Sequence, residues 1–81
     1  MKLIKFGAGW CRPCARLQSV LNGMDTPYPI DLVDIEDQPE KAGEYGIRMV
    51  PTLLLVDADG VEQKRLLGVR TQTEIQEWID E

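Results

Sequence analysis

Eighty-one residues, 43% hydrophobic and 28% charged, describe one small globular domain spanning 1–81, with no room for a second. Nine basic against fourteen acidic residues give a net charge of −5. The cations are scattered, which argues against nucleic acid and anionic lipid as partners, since both need clustered Lys and Arg. No stretch is long enough to span a bilayer, and Lys5 interrupts the opening apolar run too early for a secretory signal. A cytoplasmic protein is therefore expected, and in that compartment structural disulfides are rare.

Leu3, Ile4 and Phe6 form a short apolar run ending at Gly7-Ala8-Gly9, which reads as a buried strand meeting a loop. Arg12-Pro13 then opens a helix, because a proline in the first turn loses no hydrogen bond. Cys14, Leu17, Val20 and Leu21 follow at helical spacing, and Asn22-Gly23 is a plausible stop. Thr26-Pro27-Tyr28-Pro29 must be loop. Ile30 to Ile35 reads as a second strand, and Asp37 or Gln38 with Pro39 as the start of a short helix ending by Gly46.

Thr52 to Val56 is a continuous apolar strand of the kind buried on both faces. Asp57-Ala58-Asp59-Gly60 is a turn, and Val61 to Leu67 pairs back as a hairpin until Gly68 breaks it. Thr71 and Glu74 have capping-box spacing, with Ile75, Trp78 and Ile79 as the inner face of a last helix. The expected fold is α/β: a four-stranded mixed sheet flanked by about three helices. The strand–helix–strand opening should form a parallel pair, and the closing hairpin should add antiparallel strands.

The two cysteines carry the chemistry. At the head of the first helix Cys11 faces unpaired backbone N–H groups and the positive end of the helix dipole, which favour thiolate over thiol. Arg12 adds a neighbouring cation. Cys11 is thus expected to be the exposed attacking sulfur, and Cys14, one turn deeper, the buried resolving one. A zinc site is disfavoured because four ligands are usual and the chain has no His and no third Cys. On spacing alone, two structural thiols in a helix stay open as an alternative.

Trp10-Cys11-Arg12-Pro13-Cys14 resembles the thioredoxin motif Trp-Cys-Gly-Pro-Cys, with Arg in place of Gly. Tyr45 to Thr52 is similar to the family stretch that carries a cis-proline, and Pro51 matches it. Gly68 matches the glycine lining the family's substrate groove. The resemblance runs from Met1 to the last helix, in family order and rough spacing. It implies a minimal thioredoxin fold that lacks the extra N-terminal strand and helix. It also implies Cys11 and Cys14 as catalytic residues, with Trp10, Arg12, Pro13, Val50, Pro51 and Gly68 around the substrate. Val50 would offer its backbone to a client strand, and Trp10 would form one rim of the groove.

Departures from the family pattern concentrate beneath the cysteines. The family's buried Asp, six residues before the first Cys, is Lys5 here. Its usual Lys companion aligns with Leu32, a second tryptophan with Gly7, and the helix-kinking proline with Ser19. Lys5 is expected to modulate the thiols, as a cation favouring thiolate or as a base for Cys14. The competing expectation is that it reaches solvent or pairs with Asp31 or Asp34.

The resulting reading is a monomeric protein-disulfide reductase without cofactor. The family resemblance implies recharging by a thioredoxin-reductase-like flavoenzyme and disulfide-bearing clients, of which ribonucleotide reductase is a common one. Two alternatives compete. A glutaredoxin-like, glutathione-dependent reductase is favoured by length but not by Val50-Pro51-Thr52 or Gly68-Val69-Arg70. A non-catalytic binding module of a host enzyme would make the cysteines incidental.

Overall fold

The computed structural model describes residues 1–81. In chain order the elements are β1 (Lys2–Gly7), α1 (Arg12–Asn22), β2 (Ile30–Asp34), α2 (Pro39–Glu44), β3 (Thr52–Val56), β4 (Glu62–Leu67) and α3 (Gln72–Asp80). The strands form one sheet in the order β2-β1-β3-β4. β1 runs parallel to β2, while β1–β3 and β3–β4 are antiparallel. The mixed sheet and three helices expected from the sequence are all present.

Alternation along the two central strands divides the core between the faces of the sheet. On one face Leu3, Leu53 and Leu55 pack with Leu17 and Leu21 of α1 and Ile75, Trp78 and Ile79 of α3. On the other, Ile4, Phe6, Val33, Leu54 and Val56 pack with Ala42, Tyr45 and Ile47, at and just beyond α2. Each fully buried Leu, Ile or Phe contributes about 1.5–3 kcal/mol of transfer free energy, so these clusters supply most of the drive to fold. Every residue of β3 is buried, as its unbroken apolar run requires.

Boundaries differ from the sequence reading at two strand ends. β2 stops at Asp34, and Ile35, just past its end, donates its N–H to the Gly7 carbonyl (2.9 Å). β4 starts at Glu62 because the Asp57 carboxylate captures the N–H groups of Asp59 and Val61, keeping Val61 in the turn. The α3 cap follows its spacing: the Thr71 side chain accepts the Glu74 N–H, and the Glu74 carboxylate accepts the Thr71 N–H. At the other end of α3, Lys64 from β4 donates to the Trp78 carbonyl. That gives the helix C-terminus a cation its own last turn lacks.

Candidate active site

β1 ends at Gly7 and α1 begins at Arg12, so the loop between them delivers Trp10 and Cys11 to the edge of the sheet. Cys11 is the N-cap of α1, with extended backbone (φ −93°, ψ 106°), and its Sγ accepts the Cys14 N–H at 3.2 Å. Arg12 and Pro13 occupy the first turn, where proline costs no helical hydrogen bond. The two Cα atoms are 5.3 Å apart, within the range a disulfide needs, and the sulfurs are joined. The pair can therefore cycle between dithiol and disulfide, moving two electrons without a cofactor.

Cys11 is less accessible than its position predicts. It is 7% exposed against 3% for Cys14, so the difference between the two is small. The cover comes from the loop before β3, where the Val50 carbonyl oxygen lies 3.9 Å from Cys11 Sγ. The Val50–Pro51 bond is cis, as the family resemblance implies. Val50 makes no backbone hydrogen bond of its own, and the Pro51 carbonyl is taken by the N–H of Gly68 at 3.0 Å. Gly68 has φ +80°, a left-handed turn that suits glycine and ties the end of the hairpin to the cis-proline loop.

Beside this loop runs a hollow lined by Trp10, Ile35, Ile47, Arg48, Met49 and Val50. Trp10 is 67% exposed and lines this hollow, so it is not part of the core. Trp78 is buried, as its helical spacing indicates. Arg12 and Pro13 are exposed on the first turn, and Arg12 forms no ion pair. Met49, Ile47 and Ile35 were not evident as lining residues from the sequence. Only the adjacency of Met49 to Val50-Pro51 could have flagged them.

A second cleft opens on the opposite side of the disulfide, with a volume of about 330 Å³, lined by Lys5, Gly7, Cys14, Gln18 and Asp34 among others. Lys5 is only 8% exposed. It pairs with neither Asp31 nor Asp34; its Nζ donates to Gln18 Oε1 at 3.0 Å, while Asp31 is held by Lys2 at 2.8 Å. Burial pushes the Lys5 pKa below its ordinary value. Gln18 was missed in the sequence, although its place one turn after Cys14 on the same helix puts both on one stripe. Gly7 keeps the cleft open: a β-carbon there would sit 3.4 Å from Cys14 Cβ, 3.5 Å from Cys14 Sγ and 3.7 Å from Lys5 Cε.

The family model described as Thioredoxin matches residues 1–81. A thioredoxin of Chlamydia caviae is 39% identical over 71 residues, covering 84% of this chain and 69% of its own. One of Chlorobaculum thiosulfatiphilum is 32% identical, covering 98% and 76%. Among solved structures, a thioredoxin of Nicotiana alata superposes with a TM-score of 0.84 at 30% identity, over 95% of this chain and 68% of that one. A mutant thioredoxin from Halobacterium salinarum superposes at 0.85 with 31% identity, over 96% and 70%. On these matches the chain belongs to the thioredoxin family, and its joined cysteine pair makes it a protein thiol–disulfide oxidoreductase.

Proposed function

We propose that the protein reduces disulfides of client proteins, with Cys11 attacking and Cys14 resolving, and is recharged by a thioredoxin-reductase-like flavoenzyme. The observation that carries the roles is the N-cap geometry. Cys11 Sγ accepts a backbone N–H at the positive end of α1, the surroundings that favour a thiolate. Cys14 sits one turn inside the helix, within bonding reach of Cys11 but away from a client.

The unpaired backbone of Val50, next to Cys11, supports docking of a client strand by main-chain hydrogen bonds. Trp10 and Met49, 67% and 45% exposed, supply apolar surface for side chains flanking the client's disulfide. Arg12, Pro13, Pro51 and Gly68 frame the same approach. The working state is a monomer in the cytoplasm, and the clients are disulfide-bearing proteins of the ribonucleotide reductase type.

A Cys14→Ser variant should accumulate mixed disulfides with clients, and Cys11→Ser should not. Trapping by Cys11→Ser instead would reverse the roles. Insulin reduction should run with NADPH and thioredoxin reductase as the electron source. Turnover only with glutathione and its reductase would favour the glutathione-dependent reading. Client binding that survives Cys11→Ser, with no reduction from either source, would favour a binding module.

A further inference from the structure

The cleft behind the disulfide holds a nearly buried lysine with no carboxylate partner, next to the deeper of the two sulfurs. Cys14 Sγ and Lys5 Cε lie 3.5 and 3.7 Å from the single point where a β-carbon on Gly7 would stand. We infer that Lys5 is an electrostatic positioning residue for the resolving step: its ammonium group stabilises the thiolate of Cys14, and water in the Gly7 cleft takes up the proton. The inference rests on Cys14 being the resolving thiol, as proposed above.

In the mixed disulfide Cys11 is bonded to a client sulfur and Cys14 is a thiol. The Cys14 thiol gives its proton to water in the cleft. The resulting thiolate attacks Cys11 Sγ, and the Cys11–Cys14 bond forms. The bond from Cys11 to the client breaks with its electron pair on the client sulfur, which takes a proton from solvent. The cysteine pair is oxidised and the client disulfide reduced. Burial by itself would oppose the first move, because an apolar setting raises a thiol pKa. Cys14 is 3% exposed, so an opposing influence is needed, and Lys5 is the cation that lines the same cleft.

The charged and titratable groups facing the cleft are few. β1 presents Lys5, α1 presents Cys11 and Cys14, and β2 presents Asp34. β3 contributes only Leu53 opposite Lys5. The Asp34 carboxylate accepts the Glu36 N–H at 2.8 Å and makes no ion pair with Lys5. Gln18 Oε1 orients the Lys5 ammonium without neutralising it. A cleft of about 330 Å³ admits several waters, so the proton has an exit that does not pass the bound client.

An opposite charge within about 4–6 Å shifts a pKa by about one to three units, and the open cleft places the effect at the lower end. Loss of about one unit cuts the thiolate fraction about tenfold near neutrality, and the more basic sulfur recovers about threefold in nucleophilicity. The net expectation for Lys5→Met is a resolving step about threefold slower at pH 7.

The reduced protein is mixed with an aromatic disulfide, 5,5′-dithiobis(2-nitrobenzoate), in a stopped-flow instrument. The fast release reports attack by Cys11, and the second release reports resolution by Cys14. In Lys5→Met the second phase should slow about threefold at pH 7, and the deficit should disappear as pH rises past the thiol midpoint. Lys5→Arg, which keeps the charge, should restore the rate. In the wild type the second phase should titrate with a midpoint below about 8.5, the ordinary thiol value. A deficit of constant size at all pH, an Arg variant as slow as the Met variant, or a wild-type midpoint above that value would each overturn the inference. A normal fast phase in these cases would leave the oxidoreductase reading standing; a missing second phase in the wild type would remove the roles assigned to Cys11 and Cys14.

Discussion

Lys5→Met should make the protein more stable at neutral pH. Lys5 as a whole is 8% exposed in the wild type, and its ammonium has no ion-pair partner and keeps one hydrogen bond, to Gln18. Burying an uncompensated polar group costs about 1–3 kcal/mol by protein mutational measures, and more when it is charged. The charged hydrogen bond to Gln18 returns about 1.5–3 kcal/mol of that. The two nearly cancel, the charge leaving a residual penalty of up to about 1 kcal/mol, and methionine removes it while filling nearly the same space. Gln18 is not stranded, because its Nε2 already donates to Asn22 at 2.9 Å and its amide is half-exposed. For a domain of this size about 1 kcal/mol corresponds to a rise in Tm of about 4–8 °C, readable by circular dichroism. The pH dependence has a fixed sign. Burial lowers the Lys5 pKa in the folded state, so the unfolded chain binds the proton more tightly. Wild-type stability therefore gains a contribution as pH rises from the folded value through 10.5, and the penalty is fully present below it. The Met variant lacks this dependence, so the gap between the two should narrow in alkaline buffer. A Tm that does not rise at pH 7, or a gap that widens with pH, would refute the account of Lys5 as a desolvated cation.

Two further outcomes follow from separate parts of the fold. Thr71→Ala removes the side-chain half of the α3 capping box, the acceptor for the Glu74 N–H, and should cost about 1 kcal/mol, lowering Tm by about 4–8 °C, with Thr71→Ser recovering most of it. A cation beside the sulfurs stabilises the reduced, thiolate-bearing form, so Lys5→Met should be the stronger reductant. Equilibration with dithiothreitol should show its potential falling below the wild type by an amount that grows toward about 30 mV, the equivalent of about 1.4 kcal/mol, as pH rises past the thiol midpoint; equal potentials there would show that the sulfurs do not sense Lys5.

Much of the fold was legible because its local signals agree with one another. The apolar run of β3, the proline in the first turn of α1 and the Thr71–Glu74 spacing each point to the element actually formed. The cysteine pair was legible for the same reason, since its spacing and the proline between them locate it on the first turn. Burial of Cys11 was not legible, because it depends on Val50 from a loop 39 positions away closing over it. Gln18 as the partner of Lys5 was equally hidden. The sequence shows two acidic candidates on β2 but not that Lys2 takes one of them, that the other accepts the Glu36 N–H, and that α1 offers Gln18 to Lys5. What the sequence cannot show is which of several plausible partners the packing brings within reach.

Lys5 and Gly7 belong to one device, and that can be tested as a coupling between them. A nearly buried ammonium stays tolerable only where water can reach it, and the missing side chain at Gly7 provides that access. A methyl group at this position meets Cys14 and Lys5 at ordinary contact distances of 3.4–3.7 Å, and the glycine has no left-handed backbone to lose. In a Lys5→Met background, Gly7→Ala should therefore stabilise the protein by about 0.4–1 kcal/mol, through the reduced entropy of the unfolded chain. In the wild-type background the same methyl displaces water from the ammonium, and the gain should vanish or reverse. The double-mutant cycle should show a coupling of about 0.5 kcal/mol or more, measured by urea unfolding of the four proteins. The slow phase of disulfide formation should respond in parallel, because the methyl also narrows the path by which the Cys14 proton leaves. Additivity within about 0.3 kcal/mol would mean that Gly7 and Lys5 act independently, and the cleft would then have no part in hydrating the lysine.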